Sequence, residues 1–123
     1  MNIFVIGNRD LAFDSLPLRI LPQLKKRFPE ISFQVRDPNE DWGAQKELTI
    51  IDTVRGITRV QVFSSLVSFS PSPTVTLHNF DALAQLKLLE KLGKFSKIKI
   101  IGIPPIISEK KALEEVSAIL GAS

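Results

Sequence analysis

The sequence predicts an α/β sandwich on a mostly parallel sheet, and three observations carry that expectation. Short runs of β-branched and aliphatic residues alternate along the chain with segments whose apolar residues recur every three to four positions. The chain has 123 residues, about one domain's worth, and no composition shift divides it, so a single domain over residues 1–123 is expected. Hydrophobic residues make up 44% and charged residues 24%, which supplies enough apolar surface to offset chain entropy.

Asn2-Ile3-Phe4-Val5-Ile6 reads as a buried first strand, stopped by Gly7-Asn8. A loop from Arg9 to Ser15 leads to Leu18, Leu21, Leu24 and Phe28, which have helical spacing. Pro17 and Pro22 leave two starts open: a kinked helix from Leu16, or a helix beginning at Pro22. Lys26 and Arg27 suit the negative end of its dipole, and Pro29 stops it. Ile31 to Val35 alternates apolar with polar and predicts a second strand. Residues 36–46 are polar and read as a loop.

Glu47 to Val54 contains Leu48-Thr49-Ile50-Ile51, whose unbroken apolarity marks a central third strand running into Asp52. Arg55-Gly56 makes a turn, and Thr58 to Phe63 alternates through Val60 and Val62 as a fourth strand to which antiparallel pairing is open. Serine and proline dominate 64–76, a loop with room for a short strand over 65–69. Asn79 caps a helix over Phe80 to Leu92, with Leu83, Leu86, Leu89 and Leu92 on one face and Gly93 as the stop. Lys87, Lys91, Lys94, Lys97 and Lys99 mark a solvated face. Lys97 to Ile103 is the last strand, closed by Pro104-Pro105, and Ser108 caps a final helix carrying Leu113, Val116 and Leu120 on its apolar side.

Composition excludes several chemistries. There is no cysteine, which removes disulfides, thiolate metal sites, iron–sulfur clusters and cysteine nucleophiles. With one histidine, an all-histidine metal site within the chain is impossible. Net charge is only +3, the basic residues are dispersed, and there is no Tyr and one Trp, so no nucleic-acid partner is expected. No apolar stretch reaches the ~18–20 residues of a bilayer-spanning helix. The chain enters Asn2–Ile6 without a basic leader, so the expected setting is the cytoplasm, off the membrane. No exposed apolar stripe calls for a permanent partner, and a monomer is expected. Glycine-rich phosphate loops and a Gly-x-Ser-x-Gly elbow are both missing.

Three residues stand out by type and place. Asp14 follows the first strand, Asp52 closes the third, and His78 precedes the cap of the long helix. In an open α/β sheet ligands bind beyond the carboxyl ends of the strands, and strand direction alone could gather all three there. Two carboxylates and an imidazole suit zinc, nickel, manganese or iron, with a coordination position left open. Each also has an ordinary structural role: Asp14 as a loop or cap residue, Asp52 as a turn former, His78 as a group satisfying a helix end.

Four segments carry a family likeness. They are Phe4-Val5-Ile6-Gly7-Asn8 with Asp14 beyond it, Leu48-Thr49-Ile50-Ile51-Asp52, Thr76-Leu77-His78-Asn79, and Ile100-Ile101-Gly102-Ile103-Pro104. In that order and spacing the chain resembles the nickel–iron hydrogenase maturation endopeptidases, the proteases that trim the C-terminal tail of the hydrogenase large subunit. The resemblance implies a three-layer sandwich, a twisted sheet with helices on both faces. It implies an aspartyl-type endopeptidase whose metal-binding and catalytic residues are Asp14, Asp52 and His78. The metal would be nickel presented by the substrate, replaceable by zinc or cadmium, with no organic cofactor. The partner would be the large-subunit precursor, held transiently.

This chain departs from the family pattern at Ala12, Phe13 and Ser15, at Arg36-Asp37-Pro38-Asn39, and at Ile103. Those places belong to the rim of the cleft, where substrate would be recognised. The alternative is a non-catalytic α/β binding module, or an inactive diverged relative, that binds a protein partner.

Overall fold

The computed structural model describes residues 2–7, 15–36, 47–54, 56–63 and 97–121. They form β1 (Asn2–Val5), α1 (Leu16–Arg27), β2 (Ser32–Val35), β3 (Glu47–Thr53), β4 (Gln61–Phe63), β5 (Lys97–Ile103) and α2 (Glu109–Gly121). The helix expected over 80–92 and the short strand over 65–69 lie outside the described residues.

The strands make one sheet in the order β2-β1-β3-β5-β4. β1, β2, β3 and β5 run parallel, and β4 pairs antiparallel with β5 on the edge. The expected class, α/β on a mostly parallel sheet, is the one observed. β3 and β5 share one burial pattern, alternating at the amino end and buried without a break from the fourth residue on. Their carboxyl halves are therefore covered on both faces, the usual state of a parallel sheet.

Side-chain alternation sorts the sheet into two faces. Ile3 and Val5 of β1, Ile51 of β3 and Ile101 and Ile103 of β5 join one core with Leu16, Ile20, Leu21 and Leu24 of α1 and Ala112, Val116 and Leu120 of α2. Both described helices thus pack on the same face. Phe4, Leu48, Ile50, Ile98 and Ile100 point the other way and are buried as well. Leu113, expected on the apolar side of α2, packs against the core from a half-buried position.

Local chemistry explains the element boundaries. α1 begins at Leu16, with Pro17 in its first turn, where a missing N–H costs nothing. Pro22 stays inside the helix. It lies on the exposed side, where water can serve the Leu18 carbonyl that loses its amide partner. α2 starts from Ser108, whose Oγ accepts the Lys111 N–H at 3.1 Å. β4 is shorter than the expected 58–63. Its register sets Gln61 opposite Gly102, and continuing it backwards would set Arg59 and Thr58 opposite Pro104 and Pro105. Proline has no N–H to give the ladder, so pairing stops.

Candidate active site at the carboxyl edge of the sheet

The strand order places a crevice. From β1 the chain crosses to β2 on one side, then returns to β3 on the other. The carboxyl ends of β1 and β3 are therefore a topological switch point, the place where ligands of open α/β sheets bind. Asp52 is the penultimate residue of β3, at the carboxyl end.

Asp52 is 5% exposed, one of three buried polar residues among those described, with Ser15 and Thr53. Its Oδ1 accepts the Thr53 N–H at 2.8 Å, which fixes the carboxylate against its own strand. The ladders on either side run past it: the Ile6 N–H donates to the Ile51 carbonyl at 2.9 Å, and the Val54 N–H to that of Ile103 at 2.9 Å. By alternation Asp52 shares the face of Ile50 and Phe4, opposite the helices. A carboxylate withdrawn from water needs hydrogen bonds, a cation or a reaction to justify it. Held at a crevice, it can ligate a hard or borderline cation.

Gly102 stands level with Asp52 on the neighbouring strand. A Cβ there would meet Val54 Cγ2 at 2.7 Å and Phe63 Cε2 at 3.1 Å, so the absent side chain is what lets Val54 close the floor beside the carboxylate. On the other flank is Arg36. Its N–H donates to the Val5 carbonyl at 3.0 Å, extending the β1–β2 ladder by one residue. Its guanidinium lies over the Phe4 ring, 5.2 Å from the centroid, and Nη2 donates to Gln34 Oε1 at 2.6 Å. Sequence reading took Arg36 as the start of a loop and as part of a segment at the rim of the cleft, without a contact of its own. The available signal was a cation at a strand end with an aromatic residue in the adjacent strand.

Of the three sequence candidates, Asp52 is where strand placement put it. Asp14 and His78 lie outside the described residues. Among the described residues no three of His, Cys, Asp and Glu gather to hold a metal. Nor, among them, is any helix long and apolar enough to cross a membrane.

No family model matches the sequence, and no curated protein matches it. Solved structures do. The hydrogenase maturating endopeptidase HybD from E. coli superposes with a TM-score of 0.63 at 20% identity, over 99% of this chain and 93% of HybD. The chain shares the fold of the hydrogenase-maturing endopeptidases. A second solved structure, an endopeptidase from Escherichia coli, superposes with a TM-score of 0.59 at 18% identity, again over 99% of this chain and 93% of the other. At these identities the likeness to the maturing endopeptidases is one of architecture, and it runs over nearly the whole of both chains.

Proposed function

We propose that the protein is an endopeptidase that removes the C-terminal tail of a nickel–iron hydrogenase large-subunit precursor once nickel has been inserted. The observation that carries this reading is the buried Asp52 carboxylate at the switch point of a sheet with the maturing-endopeptidase fold. Asp52 supplies one anionic ligand, Asp14 a second and His78 a neutral imidazole. The cation they receive is nickel carried by the precursor, and zinc or cadmium fits the same donors. Recognition and chemistry are then one event, because only a loaded precursor brings the ion that completes the site. The ion supplies polarisation of the scissile carbonyl or of a water. The reaction consumes one water: its oxygen joins the carbonyl carbon, the C–N bond breaks, and the amine leaves with a proton. The enzyme meets its precursor transiently, as a monomer in the cytoplasm.

The test is precursor processing, followed as the mobility shift of a nickel-loaded large subunit. Asp52→Asn and His78→Ala should each reduce tail removal to background. Asp52→Asn should leave the urea midpoint close to wild type, since the amide oxygen can still accept the Thr53 N–H. Wild-type rates in either variant would overturn the proposal. Capture of precursor by the wild-type protein without any tail removal would identify a binding module instead.

A further inference from the structure

The two edges of the sheet differ in what they offer. In a parallel ladder the N–H and C=O of one residue point to the same side, and consecutive residues point to opposite sides. The Arg36 N–H donates to the Val5 carbonyl, so the backbone groups of Ser32 and Gln34, in phase with it, turn toward β1. Those of Phe33 and Val35 therefore face outward from β2, and among the described residues they have no partner. On the opposite edge the Val54 N–H donates to the Ile103 carbonyl, which turns Gly102 and Ile100 toward β4. Gln61 and Phe63 are then engaged with β5, and of β4 only Val62 faces outward. The side chains agree with the backbone. Ile101, Ile51, Val5 and Val35 are level across the four parallel strands, and by alternation all lie on the helix-bearing face. The first three are fully buried, whereas Val35, the last, is 50% exposed. Sheet edges are commonly guarded by a charge or a proline. Ser32-Phe33-Gln34-Val35 has neither, and only its four-residue length guards it.

We propose that the outer edge of β2 docks the substrate polypeptide as an added strand. The occupant is an extended segment that sets an aliphatic, β-branched residue beside Val35 on the helix-bearing face. The outward groups of Phe33 and Val35 supply main-chain hydrogen bonds, and the Val35 side chain supplies the preference. The inference rests on the peptidase reading for the identity of that polypeptide, and on the free edge for the docking itself. An added strand lies three strand spacings from β3, about 14.4 Å from Asp52 between backbones. Extended chain advances about 3.3 Å per residue, so about four to five residues join the docked segment to a bond held at Asp52. One precursor can therefore occupy both places, and it is chosen by a segment distinct from the bond that is cut.

The first readout is binding, so it stands apart from processing. The probe is a fluorescein-labelled, amidated peptide of alternating Thr and Val with a Lys at each end, followed by polarisation. Wild type should bind it saturably, and a Thr-Ser peptide of the same length more weakly. Methylating one alternate set of its backbone amides should abolish binding, while methylating the other set should leave it, because only one set faces β2. Val35→Pro removes an outward N–H without touching the β1 ladder and should weaken binding about tenfold or more. Val35→Lys keeps the backbone and should weaken binding by placing a charge on the edge. Urea midpoints show that both variants fold. The second readout is tail removal, in which Val35→Pro should raise the precursor KM and leave kcat unchanged. Light scattering on wild type should show a monomer. A wild-type dimer that Val35→Pro dissociates would give the edge to a second copy and overturn the proposal. So would the absence of saturable binding, wild-type affinity in both folded variants, indifference to which amides are methylated, or an unchanged precursor KM. Edge-dependent peptide binding without tail removal by wild type would count against the peptidase reading alone and uphold the docking edge.

Discussion

Gly102→Ala should destabilise the protein through one methyl group. Gly102 lies in the half of β5 that is covered on both faces. The new Cβ would fall 2.7 Å from Val54 Cγ2 and 3.1 Å from Phe63 Cε2. Val54 is fully buried, and its backbone N–H is tied to the Ile103 carbonyl, so it has little room to retreat. Overpacking of this kind costs about 1–3 kcal/mol. Alanine also restricts the unfolded chain, which returns about 0.4–1 kcal/mol, since Gly102 has no positive φ for alanine to violate. The clash therefore wins, by about 1–2 kcal/mol. At this chain length that is a fall in Tm of about 4–8 °C. Urea unfolding followed by far-UV circular dichroism should show a lower midpoint with the slope unchanged. The double variant Gly102→Ala/Val54→Ala should show a favourable coupling of about 1 kcal/mol or more, because removing Cγ2 removes the collision. A Gly102→Ala midpoint at or above wild type, or additive single effects, would refute the reasoning.

Two further substitutions test the helices. Pro22→Ala restores an amide inside α1 on its exposed side; against a proline penalty of about 3 kcal/mol, less the effect of proline on the unfolded chain, a stabilisation of about 1–2 kcal/mol is expected in urea. An unchanged or lower midpoint would mean that α1 owes its path to the proline. Ser108→Ala removes the 3.1 Å cap on the Lys111 N–H and should cost about 1 kcal/mol, with Ser108→Asp recovering most of it; equal stability of all three proteins would show that the cap contributes nothing.

The sequence disclosed what depends on neighbours in the chain and hid what depends on neighbours in space. β3 and β5 were legible because Leu48-Thr49-Ile50-Ile51 and Ile98-Lys99-Ile100-Ile101 are β-branched and apolar enough to need burial on two sides. The start of α1 was ambiguous because Pro22 speaks against a helix locally, while Leu16, Ile20, Leu21 and Leu24 bury enough apolar surface to override it. β4 was overextended because Thr58 to Val60 alternates like a strand, and only the partner's Pro104-Pro105 shows why the ladder cannot reach them. Asp52 was legible because a carboxylate running straight out of a buried strand is costly wherever the strand goes. The seat of Arg36 over Phe4 was not, because it depends on β2 pairing beside β1, which no periodicity encodes.

That order is also why one buried acid at a strand end bears on function. In a sheet whose crossovers all turned one way, the loops would close over the end of β3, and Asp52 would be an awkward interior charge. Because β2 and β3 lie on opposite sides of β1, the same acid stands at a topological switch point, with Arg36 two strands away on one side and Gly102, a residue without a side chain, on the other. Ile6 lies between Arg36 and Asp52, whose backbones stand about 9.6 Å apart, while Gly102 and Val54 lie on the far side of Asp52.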